Sequence, residues 1–76
     1  MLKNMYVIFD SVAKESGPVF ECKNDGVALR SFSKMIESNQ DKEEFHLFLV
    51  GEMDHETNVI QSLIPKEIKR EDINDV

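Results

Sequence analysis

The chain has 76 residues, and fifteen acidic against nine basic side chains give it a formal net charge of −6. So short a chain makes one domain, because it buries only roughly 60% of its unfolded surface, and its negative charge repels a phosphate backbone at long range, which argues against bulk, charge-driven nucleic-acid binding. The single Cys22 excludes an intrachain disulfide and a multi-cysteine zinc site, as expected of a protein working in a reducing, intracellular setting.

No apolar run approaches the roughly 20 residues needed to cross a bilayer, and Met1-Leu2-Lys3-Asn4 does not read as a basic-then-apolar leader. Met5-Tyr6-Val7-Ile8-Phe9-Asp10 is a compact β-favouring run and predicts the first strand, with Tyr6 and Ile8 on one face and Met5, Val7 and Phe9 on the other. Residues 11–18 turn small and polar and end in Gly17-Pro18, the composition of a loop. Val19-Phe20-Glu21-Cys22 follows as a short strand, antiparallel to the first and at an edge, where the missing N–H of Pro18 costs least.

Asn24 or Asp25 is suited to cap a helix, since a short side-chain oxygen can accept from the free N–H groups of the first turn. The helix is expected to reach about Ser38, with Ala28, Leu29, Phe32, Met35 and Ile36 forming one apolar stripe and Arg30, Ser31, Lys34 and Glu37 lying away from it. Residues 39–44 are a charged connector. Phe45-His46-Leu47-Phe48-Leu49-Val50-Gly51-Glu52-Met53 is the longest apolar run and predicts the central strand. Strict alternation puts Phe45, Leu47, Leu49 and Met53 on one face and His46, Phe48, Val50 and Glu52 on the other, so both faces carry apolar groups and ask for cover. The next loop, Asp54 to Asn58, suits a hairpin closed by Asn58 at positive φ. Val59-Ile60-Gln61-Ser62-Leu63-Ile64 is a fourth strand, at whose end Pro65 stops the pairing or opens a helical turn, and residues 65–76 read as a frayed, charged tail with only Ile68 and Ile73 to dock it.

The order strand, strand, helix, strand, strand gives a small two-layer α+β domain over residues 1–64, with an antiparallel sheet and one helix on one face. The face without a helix, either Met5, Val7, Phe9, Phe48 and Val50 or their alternates, is an expected interface. A two-fold homodimer would cover it, or the tail would, through Ile68 and Ile73. Single-stranded DNA could be held by aromatic faces and a few cations. Tyr6, Phe9 and Phe48 are the stacking candidates, and Lys3, Arg30, Lys34, Lys66, Lys69 and Arg70 the phosphate candidates. The competing assignment for these groups is ordinary core and solvated surface. His46, Glu52, Asp54, His55 and Glu56 with Cys22 match no zinc or calcium loop. A nucleophilic set of Cys22, His46 and Asp54 would need a pocket that so small a domain has little room for. Neither metal, cofactor nor enzymatic activity is expected.

Tyr6-Val7-Ile8-Phe9-Asp10-Ser11, Gly17-Pro18-Val19-Phe20, Ala28-Leu29-Arg30-Ser31-Phe32, Phe45-His46-Leu47-Phe48, Gly51-Glu52-Met53-Asp54 and Thr57 lie in an order and at spacings that resemble the small non-structural protein of the gokushovirus branch of the microviruses, bacteriophages with single-stranded DNA genomes. The similarity is collinear over about residues 5 to 60, and it departs at Asn58, where the family has Gly. The resemblance implies a non-enzymatic accessory protein in the host cytoplasm that serves genome replication or packaging and contacts single-stranded DNA or the proteins that handle it. It singles out Arg30, inside the best-matched helical piece. The alternative from the residues alone is an acidic interaction module, a homodimer that binds a phage or host protein without touching DNA. A basic groove between helix, amino end and tail would favour the first, and an acidic surface with one large apolar patch the second.

Overall fold

The computed structural model describes residues 1–72, and it is a small α+β domain: one helix packed on a curled antiparallel sheet. Strand β1 (Leu2–Asp10) is followed by a tight hairpin into β2 (Glu15–Ser16), then by β3 (Phe20–Cys22), helix α1 (Asp25–Ile36), β4 (Phe45–Asp54) and β5 (Val59–Glu67), with short 3-10 turns at Lys42–Glu44 and Arg70–Asp72. The strand order is β2-β1-β4-β5, and β3 also pairs with β1. The expected fold class holds, with an extra two-residue strand where the sequence suggested only loop. The hairpin that makes it turns at Asp10, whose carboxylate accepts from the N–H groups of Val12 and Ala13 at 2.9 and 3.1 Å, and at Lys14, which takes a positive φ of 59°. Pro18 falls between β2 and β3, where a strand lacking an N–H is interrupted, so β1 is flanked on that side by two short pieces.

The core lies between α1 and one face of β1 and β4. Tyr6 and Leu47 are its largest fully buried side chains, joined by Cys22, Ala28, Leu29 and Ile68, with Ile8, Phe20, Val27, Phe32 and Leu49 packed around them. Asn24 caps the helix, accepting from the N–H of Val27 at 2.9 Å, which leaves Asp25 free to take the Tyr6 hydroxyl at 2.6 Å. The helix stops at Ile36 rather than Ser38, and in its last turn Ile36 is buried while Met35 is exposed instead of completing the apolar stripe.

Three expectations are corrected by the sheet itself. The first strand starts at Leu2, so Lys3 is a strand residue paired with Met53. Strict alternation along β4 fails at Val50: pairing passes from Leu49 opposite Tyr6 to Gly51 opposite Met5, leaving Val50 as the extra residue of a bulge. Beyond it the phase reverses, so Glu52 stands opposite Asn4 on the helix side and Met53 opposite Lys3 on the other. Gly51 suits this crossing, since a Cβ there would come within 2.9 Å of the Gln61 carbonyl oxygen. Third, the boundary at Pro65 is not a boundary. Strand β5 continues through Pro65 to Glu67, with Leu63, Ile64 and Pro65 opposite the single residue Val50, and Ile68 then donates its N–H to Leu47 at 2.8 Å and is buried. Proline is tolerated because β5 is an edge strand and the irregularity removes its ladder partner. Ile73 lies outside the described residues. Asn58 closes the β4–β5 hairpin at φ 65°, as its residue type predicts, and the N–H of Glu56, 2.9 Å from Asp54, holds that carboxyl below the usual carboxylate range.

Candidate contact surface

The bulge and register sort the side chains of the two central strands onto two faces. Directly opposed residues of an antiparallel pair share a face, so Val7 with Phe48 and Phe9 with His46 lie on the side away from the helix, together with Met5, Val50 and Met53. All seven are half-buried. Phe9 and Phe48 meet edge to face with ring centroids 6.3 Å apart, the arrangement that ring quadrupoles prefer. Among the described residues no element covers this face: the helix is on the other side, and Ile68, which could have returned over it, docks beneath the helix instead.

Two histidine–carboxylate pairs stand at the ends of this apolar strip. His46 Nδ1 lies 2.8 Å from Glu67 Oε2, tying the end of β5 back to β4, and His55 Nε2 lies 2.6 Å from Glu21 Oε2, tying β3 to the β4–β5 hairpin. Each of these four side chains is roughly a third exposed. The sequence offered no sign of the first pair while Glu67 was read as tail. The second joins residues 34 positions apart, and only the register of β1 against both neighbours brings them together.

The candidate site residues divide sharply. Met5, Val7, Phe9, Phe48 and Val50 lie on one face, the one without the helix. Tyr6 does not join them: its ring is buried against Phe20, centroids 6.0 Å apart, and its hydroxyl accepts from Asn4 at 3.0 Å while donating to Asp25. It has no face to offer a base. Burial, reinforced by the Asp25 carboxylate, pushes its hydroxyl well above the usual tyrosine range. Arg30 and Lys34 are one turn apart on the exposed side of the helix, Lys3 is on the opposite face of the sheet, and Lys66 is on the edge strand, with Lys69 and Arg70 just beyond it. These cations spread over both layers and form no single groove. Cys22 is buried beneath the helix whereas His46 is on the other face, so the imagined nucleophilic set does not converge. Among the described residues no three His, Cys, Asp or Glu side chains could share a metal ion.

A shallow hollow of about 290 Å³ lies between Ile8, Asp10, Ala13, Glu15, Ser16, Gly17 and Phe45. Its Asp10 carboxylate is already engaged by two backbone N–H groups of the hairpin, so the hollow reads as a by-product of the turn. Among the described residues no helix is long and apolar enough to cross a membrane.

The model of a family described as "Phage ORF5 protein" matches residues 3–73, nearly the whole chain. No curated protein and no solved structure matches it.

Proposed function

Because the chain belongs to the phage ORF5 protein family, we propose that it is a non-enzymatic accessory protein of a bacteriophage, of the gokushovirus type that its sequence resembles, and that it serves genome replication or packaging by binding another protein. The contact surface is the sheet face of Met5, Val7, Phe9, Phe48 and Val50. The observation that carries this reading is the combination of a contiguous apolar strip with no cover among the described residues and a net charge of −6 without a basic groove beside it. An apolar centre with a polar rim is the usual form of a protein interface, and the two histidine–carboxylate pairs give this half-buried strip such a rim.

A second reading rests on Phe9 and Phe48, half-buried aromatic rings on an uncovered sheet, which could stack on bases while Lys3 meets a phosphate. Fluorescence anisotropy of the full chain against single-stranded and duplex oligonucleotides, at low and moderate salt, separates the two. Absence of binding at low salt, together with binding to a purified phage replication or capsid protein that Phe48→Ala abolishes, is the expected result. Micromolar, salt-sensitive binding that prefers single strands and is lost in Arg30→Glu or Phe48→Ala would replace the protein partner with DNA.

A further inference from the structure

The longest stretch of this chain without a charged residue is not in its core. It runs over the nine residues 57–65, in a sequence of which 32% is charged, and every one of those residues is exposed. The other long uncharged stretches, residues 4–9 and 45–51, belong to the two central strands and are buried or half-buried. Burial accounts for them and leaves residues 57–65 without an explanation.

Most of that stretch is strand β5, which lies at the end of the sheet; among the described residues nothing pairs with its outer side. Val59, Ile60, Leu63 and Ile64 on it are 60%, 59%, 36% and 92% exposed. Edge strands in soluble proteins are guarded by charge, proline or irregularity, since a row of open N–H and C=O groups invites another strand. Here the irregularity opposite Val50, with Pro65, Lys66 and Glu67, guards the far end, and of the uncharged residues 59–64 the regularly paired 59–62 carry no guard at all.

We propose that residues 59–64 of β5 pair antiparallel with the same residues of a second copy, joining two sheets edge to edge across a two-fold axis. An antiparallel edge is its own complement, because reversing the strand sets each open N–H against an open C=O. The charge selects the same occupant. Two copies at −6 repel each other over most of their surfaces, and the uncharged edge is where they meet at least cost, whereas a basic partner would be drawn to the acidic surfaces instead. A two-fold axis normal to the sheet keeps the helices of both copies on one side and both Met5–Phe48 strips on the other. The dimer therefore presents two contact strips side by side. The edge contact does not depend on what those strips bind.

The test is the mass of the full chain by sedimentation and light scattering from micromolar to hundreds of micromolar, for wild type, Ile60→Lys/Ile64→Lys and Phe48→Ala. The expected result is a wild-type mass that reaches twice that of the chain, a mass of one chain in the edge variant with the wild type's urea midpoint at dilutions where both are monomeric, and a retained dimer in Phe48→Ala. A wild type that stays monomeric throughout, or a dimer that survives the edge variant, would overturn the proposal; a dimer lost only in Phe48→Ala would place the contact on the face. Amide hydrogen exchange on the wild type gives an answer that needs no variant. Protection of the outward-facing amides of residues 59–64 should rise with concentration, and protection that does not change across a range in which the mass doubles would equally overturn it.

Discussion

On one face of the sheet Tyr6, Ile8, Leu47 and Leu49 pack under the helix; on the other Val7, Phe9, Phe48 and Val50 occupy the alternate positions of the same two strands. The side chains are of similar kinds and their numbers interleave, yet the outcomes differ. Beneath the helix the polar atoms are resolved inward, with Asn4, Tyr6 and Asp25 in one hydrogen-bonded line. On the uncovered face the polar atoms stand at the ends, in His46–Glu67 and His55–Glu21, and the middle is left apolar. What separates the covered face from the uncovered one here is the position of the polar groups, since hydrophobicity alone does not distinguish them.

The comparison is tested most severely by truncating neighbours that point opposite ways. Leu47→Ala empties a fully enclosed site and is expected to cost about 2–5 kcal/mol in urea unfolding. Phe48→Ala, one residue along, removes a larger group from a half-buried position and should cost less than Leu47→Ala. Equal losses would mean that the second face is covered as tightly as the first.

Ile68→Ala should follow, at about 2–4 kcal/mol, because Ile68 is buried and its N–H is bonded to Leu47. A frayed tail would show no change in the same unfolding curve. This residue also marks where the sequence stopped being legible. The strands, the helix and its Asn24 cap could be read from periodicity and turn chemistry, and so could Asn58, because those signals are local. Pro65 gave a local signal too, and it misled: whether proline ends a strand depends on whether its missing N–H had a partner, which the edge position and the residues opposite Val50 decide. The reversed phase of Glu52 and Met53 was hidden for a similar reason, since a bulge is a property of two paired strands. Val7, Phe9, Phe48 and His46 were placed together correctly because they lie on one side of the bulge, where simple alternation still holds. Tyr6 was misplaced as a stacking ring since nothing in its neighbours along the chain announces a bond to Asp25.

Tyr6→Phe sharpens the contrast on the covered face. Loss of the hydroxyl leaves Asn4 and Asp25 without their shared partner and should cost about 1 kcal/mol at neutral pH. The pH dependence carries more information. The folded hydroxyl titrates above its unfolded value near 10, so the folded state keeps a proton that the unfolded chain releases. Its stabilising contribution is complete below about pH 10 and is lost as pH rises through the folded value. Wild type should lose stability above that point more steeply than Tyr6→Phe, and identical alkaline slopes would mean that the hydroxyl is not held as described.

The smallest effect is expected where the uncovered face ends. His46→Gln or Glu67→Gln breaks a pair that is roughly a third exposed, and pairs open to solvent contribute about 0–1 kcal/mol and are weakened by salt. The unfolding midpoint should therefore move little, and less still at high salt. The strip between the two pairs should respond differently, because the pair fixes the end of β5 against β4 and so frames the proposed contact surface without holding up the fold. A partner that binds through Phe48 should be held more weakly by the Gln variants even though their stability is nearly unchanged. If instead either variant lost as much stability as Leu47→Ala, the pair would be part of a second core, and the two faces of this sheet would not differ in kind.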